Sequence, residues 1–190
     1  MNEIRDKWDA VYQGSGLTAV PSRVLQENAH LLPTSGKGLE IACGQAANAR
    51  YLCVAGLDVT AWDISPVIIS KLNQFAIDNQ ISLRCEARDV EKSPPEANSF
   101  DVIVVSHYLD RELVPHIIDA LRPNGLVYYQ TFTREKVGDA GPKNENFRLA
   151  DNELLALFKG LRILVYREEA RVGDIQQGFR DEALIVAQKI

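Results

Sequence analysis

The segment Phe100–Ser106 (FDVIVVS) constrains this chain more than any other. It is continuous, apolar and rich in β-branched residues, the composition of a strand covered on both faces. Such a strand needs helices above and below its sheet, and sheets of that kind are mostly parallel. The flanking sequence carries the punctuation this requires. Gly38–Cys43 (GLEIAC) is a short apolar run that stops at Gly44. Ala46–Ala55 reads as a helix ending before Gly56, a C′ position. Leu57–Trp62 reads as a second strand. Ser65 and Pro66 then read as an N-cap and N1 proline, opening a helix to about Asn79.

Ile81–Ala87 is a weaker third strand, and Pro94-Pro95 keeps any helix after it short. Arg111–Leu121 reads as a helix closed by Arg122-Pro123-Asn124-Gly125, with a fifth strand at Leu126–Phe132. A polar loop from Thr133 to Asn146 leads to a helix at Asp151–Phe158. Leu161–Arg167 and Glu182–Gln188 are the last strands, and the segment between them is too polar for a crossover helix. The expectation is an α/β fold: a doubly wound, Rossmann-like, seven-stranded and mostly parallel sheet with a C-terminal antiparallel hairpin. A single domain should span 1–190, with 1–30 as a helical cap over the site.

With 46% hydrophobic and 25% charged residues over 190 positions, the chain can build one ordinary core. Its formal net charge of -5 argues against broad nucleic-acid binding, which needs a basic surface to displace counterions. Cys43, Cys53 and Cys85 are odd in number and lack a CxxC spacing, so they read as buried thiols of a reducing compartment. No signal peptide is visible, and no apolar run approaches the ~20 residues that span a bilayer. A cytoplasmic protein is expected, without membrane or metal; nothing in the sequence decides its oligomeric state.

Open parallel sheets bind ligands beyond the carboxyl ends of their strands. Those ends carry Glu40-Ile41-Ala42-Cys43-Gly44-Gln45-Ala46-Ala47-Asn48-Ala49, then Asp63, then Asp89 in Ala87-Arg88-Asp89-Val90. In this order the sequence resembles the class I S-adenosylmethionine (SAM) methyltransferases, and in particular small bacterial enzymes related to the tellurite-resistance and thiopurine methyltransferases. Trp8-Asp9-Ala10-Val11-Tyr12, Pro21-Ser22, Phe100-Asp101, Leu121-Arg122-Pro123-Asn124-Gly125 and Gly141-Pro142-Lys143-Asn144 with Phe147 and Glu153-Leu154 extend the likeness over nearly the whole chain.

The resemblance implies SAM as cofactor and transfer of its methyl group to a small-molecule acceptor. Gly44 would let the backbone approach the ligand, with free N–H groups of the next helix facing the methionine carboxylate. Glu40 would support the loop or the methionine ammonium. Asp63 would accept both ribose hydroxyls, Asp89 the adenine amino group and Val90 the ring, with Ile64 packed on the adenine face. Cys43, Ala46, Asn48 and Ser106 complete the expected cofactor shell. Asp63→Ala should cost at least tenfold in SAM affinity with the fold intact. His107 is the candidate general base, and Trp8, Tyr12, Tyr108 and Arg148 are candidates for the acceptor pocket. Two departures stand out. Ala42 and Ala46 occupy glycine positions, and because alanine disfavours positive φ the turn should fit SAM less closely. Val11 stands where relatives often carry Arg.

Two other readings fit some of these residues. Gly44, Ala46 and Ala49 form a loose GxGxxG with Asp63 at ribose-binding distance, as in an NAD(P)-binding oxidoreductase. A SAM-binding module without turnover would also explain the alanine-substituted turn.

Overall fold

A computed structural model describes residues 3–190. Strands β1 (Lys37–Ile41), β2 (Asp58–Asp63), β3 (Leu83–Ala87), β4 (Phe100–Ser106), β5 (Leu121–Phe132), β6 (Arg162–Glu168) and β7 (Glu182–Gln188) form one sheet of order β3-β2-β1-β4-β5-β7-β6. The first five run parallel to one another; β7 pairs antiparallel with both β5 and β6. The seven-stranded, mostly parallel sheet expected from the sequence is therefore present. Its last strand is inserted beside β5, leaving β6 at the edge.

β4 lies at the centre, between β1 and β5. Successive side chains of a strand point to opposite faces, so a central strand must be apolar at every position. Val102 and Val104 enter one layer of the core with Leu52, Ile68 and Leu72, while Ile103 and Val105 enter the other with Leu113, Ile117 and Phe158. The helices divide accordingly. α3 (Ala47–Val54) and α4 (Pro66–Asp78) cover the first face, and α5 (Leu113–Ala120) and α6 (Glu153–Leu157) the second. Ser65 caps α4 by accepting from the Ile68 N–H, with Pro66 at N1.

Among the boundaries that differ from expectation, three bear on how the elements join. β3 starts at Leu83 and is largely exposed, as suits an edge strand. α5 begins only at Leu113 because Asp110 accepts the Glu112 N–H and holds the preceding residues in a turn. The Arg122–Gly125 segment is an irregularity inside β5: Leu121 still pairs with Phe100, and regular pairing resumes at Leu126 with Val102. A Cβ on Gly125 would lie 2.8 Å from the Arg122 carbonyl oxygen, which accounts for the glycine.

The expected cap over 1–30 divides in two, and residues 1 and 2 lie outside the described residues. α1 (Glu3–Gln13) buries none of its residues fully, whereas α2 (Arg23–Glu27) inserts the fully buried Val24 and Leu25 into the core. Of these two helices only α1 lines the site, joined there by Ala19, Val20 and Ser22 from the connecting segment. It is docked on α4 by reciprocal helix caps. The Asp9 carboxylate accepts from Ser65 Oγ and the Val67 N–H at the start of α4. Lys71 Nζ donates to the carbonyls of Tyr12 (2.7 Å), Gln13 (3.0 Å) and Ser15 (2.8 Å) at the end of α1. Each charge thereby meets the helix end of opposite partial charge.

Candidate functional site

The carboxyl ends of β1, β2, β3 and β4 open into one cleft of about 290 Å³. Among the expected residues, Glu40, Cys43, Gly44, Asn48, Asp63, Ile64, Asp89, Val90, Ser106, His107, Tyr108, Trp8 and Tyr12 all line it. Ala46 does not; it is fully buried behind the turn. Arg148 does not either, and its assignment to the acceptor pocket is corrected. Its guanidinium is buried, donating to the carbonyls of Pro142 (2.7 Å), Thr133 (2.8 Å) and Ala140 and lying over the Phe132 ring. Arg148 ties down the 133–146 loop.

The turn after β1 is unusual. Ala42, Gly44 and Ala46 all have left-handed φ, at 51°, 50° and 52°. Both alanines take up the left-handed conformation that alanine disfavours, at a cost of order 1 kcal/mol each. Hydrogen bonds hold them there. Cys43 N–H reaches the Trp62 carbonyl (2.9 Å), Ala46 N–H the Cys43 carbonyl (2.7 Å) and Gly44 N–H the Asp63 Oδ2 (2.8 Å). A side chain at Gly44 would meet the Tyr12 hydroxyl 3.0 Å away, so the glycine lets α1 close over the turn.

Asp63 has a double duty the sequence does not disclose. Oδ2 holds the Gly44 N–H and Oδ1 holds the Ser65 N–H at 2.9 Å, so one carboxylate joins the β1 turn to the start of α4. The expectation that Asp63→Ala would leave the fold untouched is therefore revised. A carboxylate has about four lone-pair sites, so acceptor capacity remains for a ligand hydroxyl. Burial, helped by the nearby Asp9, pushes its carboxyl above the usual range, against the backbone N–H groups of Ser65, Gly44 and Ile64. Asp89, more exposed, is held below the usual range chiefly by its hydrogen bond from Lys92.

Glu40 is the deepest acid, 2% exposed. Oε1 accepts from Asn48 Nδ2 and Oε2 from the Ala49 N–H, both at 2.7 Å. The first turn of α3 is thus capped by a protein carboxylate. The expectation that its N–H groups all face the ligand is corrected for Ala49. Burial raises the Glu40 carboxyl to about 7 despite these donors. Asn48 continues the network: its Oδ1 accepts from the Ser22 N–H (2.7 Å) and Oγ (2.8 Å), and its Nδ2 also reaches Ser106 Oγ (3.0 Å). One amide thus joins β1, β4 and the segment before α2.

At the end of β4, His107 has a left-handed φ of 57° and its N–H bonds the Gln130 carbonyl at 2.9 Å. Its ring stacks on Phe132, with centroids 4.9 Å apart, and Nε2 lies 3.0 Å from Glu182 Oε1. Tyr108 reaches Glu91 through its hydroxyl at 3.3 Å. Trp8 and Tyr12, stacked at 5.7 Å, form the α1 wall. Sequence reasoning missed Glu182, Gln130 and Glu91 and gave Asp9 no role of its own, since polar residues on separate elements give no local periodicity when they converge.

The lining includes the carboxylates of Glu40, Asp63, Asp89 and Glu91, which suits a ligand bearing sulfonium and ammonium charges. The glycine turn and acids in strand order fit a SAM nucleoside and methionine. Among the described residues no cluster of three or more metal-ligating side chains exists, and no helix is long and apolar enough to cross a membrane.

Residues 39–125 match the family described as "Methyltransferase domain". The chain is 31% identical over 138 residues to the probable SAM-dependent methyltransferase TehB of Haemophilus influenzae, covering 70% of this chain and 48% of TehB. It is 25% identical over 134 residues to a ubiquinone biosynthesis O-methyltransferase of Xanthomonas axonopodis, covering 67% of this chain and 56% of the relative. The chain spans about half the length of these curated relatives. Its fold superposes on the crystal structure of Haemophilus influenzae TehB with a TM-score of 0.72 at 23% identity, over 98% of this chain and 67% of that one.

Proposed function

Because the chain belongs to the class I SAM-dependent methyltransferases, we propose that it transfers the SAM methyl group to a small-molecule acceptor held between α1 and the end of β4. The observation that carries this reading is the convergence of Gly44, Asp63 and Asp89, from three neighbouring strand ends, on one acid-lined cleft. The NAD(P)-binding alternative is not favoured by any of these relatives.

In this reading Asp63 accepts the ribose hydroxyls, Asp89 and the Val90 N–H receive the adenine edge, and Ile64 packs on its face. The turn around Cys43 and Gly44 receives the methionine portion, with Glu40, Asn48 and Ser106 holding the turn in shape. When bound, SAM supplies a methyl group on an already activated sulfonium leaving group. The protein's contribution is then alignment of the acceptor and exclusion of water. Trp8, Tyr12 and Tyr108 border the acceptor end and His107 stands ready to take a proton there.

Parallel thermal titrations with SAM and with NADH test the reading. At ~100 Kd a true ligand adds ~2.7 kcal/mol of stability. Stabilisation by SAM alone is expected, and stabilisation by NADH alone would refute it. Methyl transfer from labelled SAM to small acceptors separates an enzyme from a module that only binds.

A further inference from the structure

A chain of hydrogen bonds that begins outside the cleft ends on the His107 ring, and it has a fixed direction. The Val24 backbone N–H at the start of the core helix α2 donates to Gln130 Oε1 at 2.7 Å. A backbone N–H can only donate, so this bond decides which end of the Gln130 amide is oxygen. Gln130 Nε2 must then point the other way, and it donates to Glu182 Oε2. The remaining oxygen, Oε1, lies 3.0 Å from His107 Nε2. A carboxylate only accepts, so Nε2 carries the hydrogen. In the neutral ring Nδ1 is then left with a lone pair, and among the described residues no hydrogen bond to Nδ1 exists. The ring plane is fixed by stacking on Phe132.

We infer that Glu182 is a positioning residue that locks His107 as the Nε2–H tautomer, so that Nδ1 takes the proton of a neutral, protic methyl acceptor carried on an apolar body. This deepens the methyltransferase reading above and rests on it. The acceptor's heteroatom forms a bond to the methyl carbon, the carbon–sulfur bond breaks with its electron pair passing to sulfur, and the acceptor proton moves to Nδ1. The neutral charge follows from the walls. Glu91 and Asp89 border the cleft, and Glu182 stands behind His107. Arg88 is the one permanent cation among the described lining residues, and its charge is already paired. It donates to the carbonyls of Ser93 (2.7 Å) and Pro94 (2.8 Å), pairs with Glu96 at 3.2 Å and lies 3.9 Å over the Trp62 ring. An oxyanion would meet these acids and a cation already shared with Glu96, whereas Trp8, Val20 and Tyr108 offer an apolar and aromatic surface.

The same direction predicts what Glu182→Gln does. Gln130 still presents its NH2 group, so the new amide must turn its oxygen toward Gln130 and its own NH2 toward His107. The ring then accepts at Nε2 and carries its hydrogen on Nδ1, where it can no longer act as a base.

The experiment joins a spectroscopic and a kinetic measurement. Ring 15N shifts of histidine-labelled protein are expected to show neutral His107 as Nε2–H in the native protein and as Nδ1–H in Glu182→Gln. The same tautomer in both would overturn the inference. With labelled SAM and catechol, phenol or benzyl mercaptan as acceptors, Glu182→Gln should lower kcat at least tenfold while SAM affinity stays within about twofold. Glu182→Asp should restore part of that loss. His107→Ala, which leaves the Gln130–Glu182 bond in place, should lose turnover and regain it when imidazole is added. Transfer to selenite or tellurite but to none of the three protic probes, or to no probe at all, would also overturn the inference. SAM binding measured alongside keeps that result distinct from failure of the methyltransferase reading.

Discussion

Glu40→Gln probes the balance that holds the site together. The wild-type carboxyl is buried at the base of the cleft, and burial opposes ionisation more strongly than Ala49 N–H, Asn48 Nδ2 and the more distant Arg50 favour it; Asp63 adds a further upward push. The group ionises at an ordinary 4.5 when unfolded and at about 7 when folded. Between those values the folded protein holds more protons than the unfolded chain, so stability falls as pH rises through that window. Each tenfold change in the ionisation constant is worth about 1.36 kcal/mol, so the whole displacement amounts to roughly 3 kcal/mol. Glutamine cannot titrate. Its amide also sets an NH2 against either Ala49 N–H or Asn48 Nδ2, and one buried donor left unpaired costs ~1–3 kcal/mol. Urea unfolding of both proteins at pH 4.5 and at pH 8 measures this directly, because other titrating groups cancel in the difference. The advantage of wild type over the variant should shrink by about 3 kcal/mol from the lower to the higher pH. A difference that stays flat, or grows with pH, would refute the reasoning by showing that the two hydrogen bonds outweigh burial.

Asp63→Asn should lower SAM affinity at least tenfold and cost ~1–3 kcal/mol of stability, because the amide can serve only one of the Gly44 and Ser65 N–H groups; calorimetric SAM titration with undiminished affinity would remove Asp63 from the site. Lys71→Met keeps the apolar stem but uncaps α1, so amide exchange in residues 3–13 should accelerate at least tenfold with core exchange unchanged; equal protection of α1 would show that the cap is dispensable. Arg148→Ala should cost about 3 kcal/mol and expose 133–146 to proteolysis while SAM affinity stays within about twofold. A large loss of SAM affinity would return Arg148 to the site.

The sequence determined the fold class and the positions of the cleft-lining acids. Phe100–Ser106 admits one kind of environment, covered on both faces, and that alone calls for helices on both sides of a parallel sheet. Gly44, Asp63 and Asp89 were legible because strand ends in such a sheet share one edge, so order along the chain becomes adjacency in space. Tertiary structure decided what depends on residues far apart in the chain. Arg148 looked like a pocket residue from its place after a polar loop, yet three carbonyls drew it inward. Ala42 and Ala46 disfavour a left-handed turn by themselves, yet Asp63, Trp62 and Cys43 fix the backbone around them. Glu182 carries no local signal, and only the insertion of β7 beside β5 sets it against Gln130 and His107. Local patterning encodes which face of an element is buried; the direction of a hydrogen bond between elements is set only once packing has fixed every donor and acceptor.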